Sequence, residues 1–234
     1  MAGLRLEGVR PRVLGPVELA IGAGELVLLS GPSGSGKSLL LRAVADLDPD
    51  DGEVWLDGVA RSSLPAPEWR RRVGLLPAES HWWGEYVSDH FPWNGLSRSR
   101  ASSDDGKQGS VAPPPRRSPS RGEGTGAPSS RTDLLEALGF GPEVLDWSVS
   151  RLSTGERQRL ALARMLAVAP EALLLDEATA NLDPTNRDRV EALVEDYRMQ
   201  RSAAVLWVSH DPAQRLRLGG RRLVIREGRL EAEP

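Results

Sequence analysis

The sequence predicts an α/β fold built on a mostly parallel, doubly wound sheet. Short apolar runs at Leu26–Leu29, Ala172–Leu175 and Ala203–Val208 read as strands, the second and third buried on both faces. Stretches with helical spacing of apolar residues lie between the strands, and that alternation implies parallel pairing through helical crossovers. At 234 residues the chain has room for one large α/β domain or two small ones.

Taken in order, strands are expected at Leu4–Val9, Val17–Ile21 and Glu25–Ser30, the last entered through the turn Gly22-Ala23-Gly24. A helix over Leu39–Leu47 ends at Asp48-Pro49-Asp50-Asp51-Gly52, and Glu53–Leu56 resumes as strand. Pro67–Arg72 reads as a short polar helix before the strand Val73–Leu76. Between about 97 and 130, Ser, Gly, Pro and Arg dominate, with too little apolar surface to offset the entropy of ordering. That stretch is expected to be a disordered insertion, a solvated tether; contact of its basic residues with lipid head groups or nucleic acid is the other reading. Thr132–Leu138 forms a short helix closed by Gly139, and Ser153 opens a longer one through Leu166. The strand at Ala172–Leu175 follows, then a helix from Asp183-Pro184 to about Met199 and the strand Ala203–Val208. Arg221–Ile225 and Arg229–Glu231 close the chain as small edge strands.

Composition narrows the class. Hydrophobic residues make up 39% and aromatics 5%, ordinary for a soluble α/β enzyme, and no apolar run reaches the roughly 18–20 residues of a membrane span. Met1–Arg5 lacks a signal-peptide core, so a cytoplasmic location is expected. The absence of cysteine excludes disulfides and thiolate metal sites. A net charge of −3 supplies no global field for nucleic acid, and no nucleic-acid partner is expected. Lys37 and Lys107 are the only lysines among many arginines, so Lys37 stands out where a compact ammonium is required.

Lys37 belongs to Gly31-Pro32-Ser33-Gly34-Ser35-Gly36-Lys37-Ser38, a G-x-x-x-x-G-K-S run set between a strand and a helix start. Glycines let successive N–H groups turn inward on an anion, and the helix start adds free N–H groups and its positive dipole end. Lys37 then reaches the outer phosphates of a nucleoside triphosphate and the Ser38 hydroxyl ligates Mg²⁺. Leu173-Leu174-Leu175-Asp176-Glu177 is an apolar strand ending in two acids. Either these are merely solvated, or Asp176 holds Mg²⁺ opposite the phosphates while Glu177 polarises a water. Ser153 with Glu156 makes a capping box; it is a well-capped helix, or a second anion site offering the Ser153 hydroxyl and the Gly155 amide.

These residues resemble the ATP-binding cassette (ABC) ATPase family. Gly31–Ser38 is similar to its Walker A loop, Leu152–Gln158 to its LSGGQ signature and Leu173–Glu177 to its Walker B strand. Asn181-Leu182-Asp183 is similar to its D-loop and Val208–Asp211 to its switch-histidine segment. The order and spacing agree from Leu4 to Glu231 apart from the insertion. The resemblance implies a P-loop NTPase (RecA-like) parallel core over 1–80 and 170–234, with a small antiparallel β subdomain. Residues 81–169 would form the α-helical signature subdomain. It further implies ATP and Mg²⁺ as ligands and head-to-tail pairing with a second cassette. Ser153, Thr154, Gly155 and Glu156 would then face the partner's nucleotide, with Glu177 as general base, His210 on the γ-phosphate and Asp183 linking the two sites. The implied function is the ATP-hydrolysing subunit of a transporter, peripheral on the inner membrane face and energising a separate membrane-spanning permease. A non-transport cassette protein and a nucleotide-gated regulatory module with weakened hydrolysis are the alternatives.

The chain departs from the family pattern in three places. Ala78, followed by Glu79, stands where the Q-loop glutamine is expected, and alanine can neither ligate Mg²⁺ nor contact water. Pro11, between Arg10 and Arg12, occupies the neighbourhood of the adenine-stacking aromatic, leaving a guanidinium as the candidate stacking group. Thr154 replaces the first signature glycine. His81-Trp82-Trp83 and His90-Phe91-Pro92-Trp93-Asn94 are either core packing of the helical part or contacts to the transporter's coupling helix. Phe91-Pro92-Trp93 and Val205–Val208 are similar to segments of iron-export cassettes.

Overall fold

The computed structural model describes residues 3–91 and 131–233; the expected insertion over 97–130, and Pro92, Trp93 and Asn94 before it, lie outside the described residues. The elements in chain order are β1 (Leu4–Val9), β2 (Val17–Ile21), β3 (Leu26–Ser30), α1 (Lys37–Val44), β4 (Glu53–Leu56) and β5 (Val59–Ala60). Then come α2 (Ala66–Arg72), β6 (Val73–Leu76), α3 (Arg131–Ala137), α4 (Thr154–Leu166) and β7 (Ala172–Asp176). The chain closes with α5 (Pro184–Arg201), β8 (Ala204–Val208), α6 (Pro212–Leu218), β9 (Arg221–Arg226) and β10 (Arg229–Ala232).

The strands form two sheets. One is antiparallel, in the order β2-β1-β4-β5; the other runs β10-β9-β3-β8-β7-β6. In the larger sheet β9, β3, β8, β7 and β6 are parallel and β10 returns antiparallel on β9. Strands β3, β7 and β8 are buried at every position, which explains their unbroken apolar runs. Successive side chains serve opposite layers. Leu28, Leu173, Leu175, Val205 and Trp207 pack toward α3, α4 and α5. Val27, Leu29, Leu174, Leu206 and Val208 pack toward α1 and the antiparallel sheet.

Two expectations need correction. Arg221–Ile225 is not an edge strand: β9 sits between β3 and β10, with Leu223, Val224 and Ile225 buried. Its arginine-rich ends disguise that apolar centre. Helix α6 was not expected at all; it is short, opened by Asp211 accepting from the Ala213 N–H, and it buries the polar Gln214 while Leu216 is exposed, the reverse of an amphipathic signal. The remaining boundaries agree within a few residues.

Between β6 and α4 the chain folds over a buried histidine. His90 Nε2 accepts from the N–H groups of Trp83 and Gly84, both at 2.8 Å, and Nδ1 lies 3.0 Å from the Tyr86 carbonyl. Two donors on Nε2 fix the neutral tautomer with the proton on Nδ1. Trp82 and Trp83 meet the imidazole edge-on, and the Arg164 guanidinium lies over both indoles. Trp82 joins the core, whereas Trp83 is 74% exposed, so the two indoles of this pair divide between packing and surface. Burial, with the Arg164 charge beside it, holds His90 below its ordinary value of 6.5.

That depression gives a signed prediction. A histidine harder to protonate when folded contributes stability that is present above its unfolded pKa and is lost as pH falls toward the folded one. Urea midpoints should drop between about pH 7.5 and about pH 5.5, and His90→Gln should flatten that difference relative to wild type. A second prediction concerns Trp69, fully buried on α2, whose indole N–H donates to the Val44 carbonyl at 2.9 Å. Trp69→Ala should cost about 3–5 kcal/mol in equilibrium unfolding, because it opens a cavity and orphans that carbonyl.

Candidate functional site

Because β3, β7 and β8 are parallel, their carboxyl ends open on one edge of the sheet, and their register levels them: Leu29 and Asp176 both face Val208. Beyond β3 the chain turns through Gly31, Gly34 and Gly36, all at positive φ. Gly36 is doubly required, since a Cβ there would lie 2.7 Å from the Val13 side chain. It also caps α1, without any side-chain cap or first-turn acid, so the first N–H groups of that helix have no partner within the helix. Ser35 Oγ is buried with no partner in the protein. Lys37 Nζ donates to the carbonyls of Gly31 (2.9 Å) and Pro32 (2.8 Å), which spends two of its three hydrogens. Burial lowers the Lys37 pKa; the Glu177 and Asp176 carboxylates oppose that.

At the end of β7 the two acids separate. Asp176 is buried, and burial raises its pKa against a hydrogen bond from the Ser38 hydroxyl. Glu177 takes φ +50°, a left-handed conformation costly for glutamate, and its N–H donates to the Val208 carbonyl at 3.1 Å. The twist breaks the strand and sends Glu177 to His210, whose Nε2 lies 3.0 Å from Glu177 Oε1. Ser33, Gly34, Gly36, Lys37, Ser38, Leu39, Glu177 and His210 line one open cleft of about 200 Å³. Glycine loop, lysine, strand-end acid and histidine thus share one space, with Asp176 below it.

The signature residues stand elsewhere. Ser153 Oγ accepts from the Glu156 N–H (3.3 Å) and Glu156 accepts from the Ser153 N–H (2.8 Å), completing the box. The Ser153 N–H and hydroxyl, both donating to the Glu156 carboxylate at 2.8 Å, hold it below the usual range. Ser153 and Thr154 are exposed and do not line the cleft. Gly155 is closely packed: a Cβ would lie 3.1 Å from Leu182 and 3.3 Å from the Asn181 carbonyl. Asp183 caps α5, accepting from the Asn186 N–H at 3.1 Å, and stays exposed. Glu79 and Ala78 are exposed and also lie outside the lining of the cleft. Pro11 and Arg12 line a separate cavity of about 120 Å³ with Leu39, Ala43, Asp48 and Pro49.

Sequence reasoning missed two buried amides. Gln158 Nε2 donates to the Pro77 carbonyl and its Oε1 accepts from Ser80, both at 3.0 Å, tying α4 to the segment after β6. It lies within the signature-like run, which was the available signal. Gln214 joins Ser209, Thr179 and Glu191 behind the Glu177–His210 pair, and nothing in its neighbourhood of charged residues marks it.

For a divalent cation the donor chemistry fits. Ser38 and Asp176 bring a hydroxyl and a buried carboxylate together at the foot of the cleft, hard oxygen donors of the kind Mg²⁺ takes in small number beside phosphates. No cluster of three or more acidic, histidine or cysteine ligands occurs among the described residues.

Comparison with known proteins bears on the family and the fold. The family model described as ABC transporter matches residues 14–180. The Fe(3+) ions import ATP-binding protein of Streptomyces coelicolor is 38% identical over 97% of this chain, which spans 60% of that protein's length. The probable iron export ATP-binding protein of Escherichia coli is 32% identical, covering 86% of this chain and 79% of its own. Among solved structures, a dimeric ATP-binding cassette in a post-hydrolysis state with ADP and phosphate superposes with a TM-score of 0.73 at 23% identity, over 98% of both chains. This chain belongs to the ABC transporter family.

Proposed function

We propose that the chain binds and hydrolyses ATP as the energising subunit of an ABC transporter, docked on the inner face of a membrane against a separate permease and paired with a second cassette. The observation that carries this reading is the single cleft shared by the glycine loop, Lys37, Glu177 and His210. The loop amides, the unpartnered Ser35 hydroxyl and the α1 start receive the β- and γ-phosphates, and Lys37 gives its remaining hydrogen to them. Ser38 and Asp176 would hold Mg²⁺. When bound, that ion neutralises charge on the phosphates. Glu177 accepts the proton of the attacking water, and His210, in contact with Glu177, orients that water and meets the γ-phosphate.

The remaining site residues complete a shared clamp. In α4 the capping box uses the Ser153 and Glu156 amides, leaving those of Thr154 and Gly155 at a helix start. With Ser153 they would bind the γ-phosphate held by a partner cassette, and Asp183 would relay between sites. Pro11 and Arg12 offer the base a surface in place of an aromatic ring. Support for the transporter role comes from the relatives' names, ATP-binding proteins of ion import and export. No helix among the described residues is long and apolar enough to cross a membrane.

Two variants test the assignment. Glu177→Gln should leave ATP affinity within about twofold and lower turnover by about 10²-fold or more. Retained turnover there removes Glu177 from the base role. Lys37→Ala should instead abolish ATP binding in a fluorescent-nucleotide titration while the urea midpoint stays close to wild type. Undiminished affinity would remove the glycine loop as the phosphate cradle.

A further inference from the structure

We propose that Gln214 is a positioning residue that keeps Glu177 and His210 aligned and links them to α5. Its side chain is buried, with 2% of the residue exposed, and it joins three separate elements. Gln214 Oε1 accepts from the Ser209 hydroxyl at 2.5 Å, and Ser209 Oγ in turn accepts from the Asp211 N–H at 3.2 Å. That hydroxyl therefore braces His210 from both neighbouring residues. Gln214 Nε2 donates to Thr179 Oγ1 at 2.7 Å, two residues beyond Glu177, and to Glu191 Oε1 at 2.8 Å on α5.

The polarity of the network is forced. A carboxylate only accepts, so the Gln214 NH₂ must face Glu191 and its carbonyl must face Ser209. Arg217 holds Glu191 from the other side with bonds of 3.0 and 2.7 Å. Ser209, Thr179 and Glu191 are themselves buried, where losing one partner leaves the others unpaired. Glu177 and His210, by contrast, are part-exposed at the cleft, and their side chains meet in a single 3.0 Å contact. The order of the pair is thus supplied from behind, through the turns that carry it. The same amide touches α5, the helix capped by Asp183, so a shift of α5 reaches both turns through one side chain.

The kinetic half of the test rests on the hydrolytic reading above, and the exchange half stands without it. In the full chain, Gln214→Leu should lower kcat for ATP by about 10- to 100-fold with KM within about twofold. Amide hydrogen exchange should accelerate at 177–180 and 209–211 while β3 and α1 keep wild-type protection. Gln214→Glu, which sets two carboxylates face to face, should behave similarly and serves should the leucine variant not fold. Acceleration confined to those two turns, with KM held, separates positioning from a general loss of stability, which would speed exchange in β3 and α1 as well. Wild-type turnover and exchange in Gln214→Leu, or exchange accelerated equally in β3 and α1, overturns the proposal. A wild-type chain that binds ATP without turning it over defeats the hydrolytic reading instead, and the exchange pattern then decides on Gln214.

Discussion

The site depends on three parallel strands ending level with one another. The register that sets Leu29 and Asp176 opposite Val208 delivers the glycine loop, the paired acids and the Ser209-His210 turn to one sheet edge. Slipping one strand by a residue would send its buried side chains to the opposite layer and carry its end away from the shared cleft. The two cores therefore do more than stabilise. By filling both faces of β3, β7 and β8, they fix the register from which the chemistry is hung.

The charge arrangement follows from that placement. Asp176 and Glu177 are adjacent in sequence and would repel if both faced the cleft. The left-handed twist at Glu177 divides them, one toward Ser38 and Lys37, the other toward His210. Lys37 is buried under the loop with its ammonium on two carbonyls and its field shared with both acids. Those two bonds tie the ammonium back onto the carbonyl side of the loop, leaving its inward N–H groups free to donate. Strain at one glutamate is thus tied to the same small volume as the turning glycines, which adopt positive φ without it.

How much of this was legible in the sequence depended on whether the cause was local. Buried parallel strands announce themselves as unbroken apolar runs, and the Ser153–Glu156 cap and the glycine loop are written in consecutive residues. β9 was misplaced because burial there comes from neighbours on both sides, which arginine-flanked Leu223-Val224-Ile225 does not reveal. The amides of Gln158 and Gln214 were invisible in their roles because each partner comes from far along the chain: Pro77 and Ser80 for one, Thr179 and Glu191 for the other. The separation of Trp82 from Trp83, one in the core and one at the surface, was likewise a matter of packing around His90.

Gln158 bears on the missing Q-loop glutamine. With Ala78 unable to reach metal or water, the segment after β6 has no side chain in the cleft, and Glu79 points into solvent. Its connection runs the other way, from Pro77 and Ser80 to Gln158 on α4, three residues from Gly155. Gly155 in turn packs against Asn181 and Leu182, which lead into α5. The segment thus remains mechanically joined to the signature helix and, through it, to the turn that follows Glu177. The joint is made of hydrogen bonds between Gln158 and the segment, so it holds whatever side chain stands at position 78.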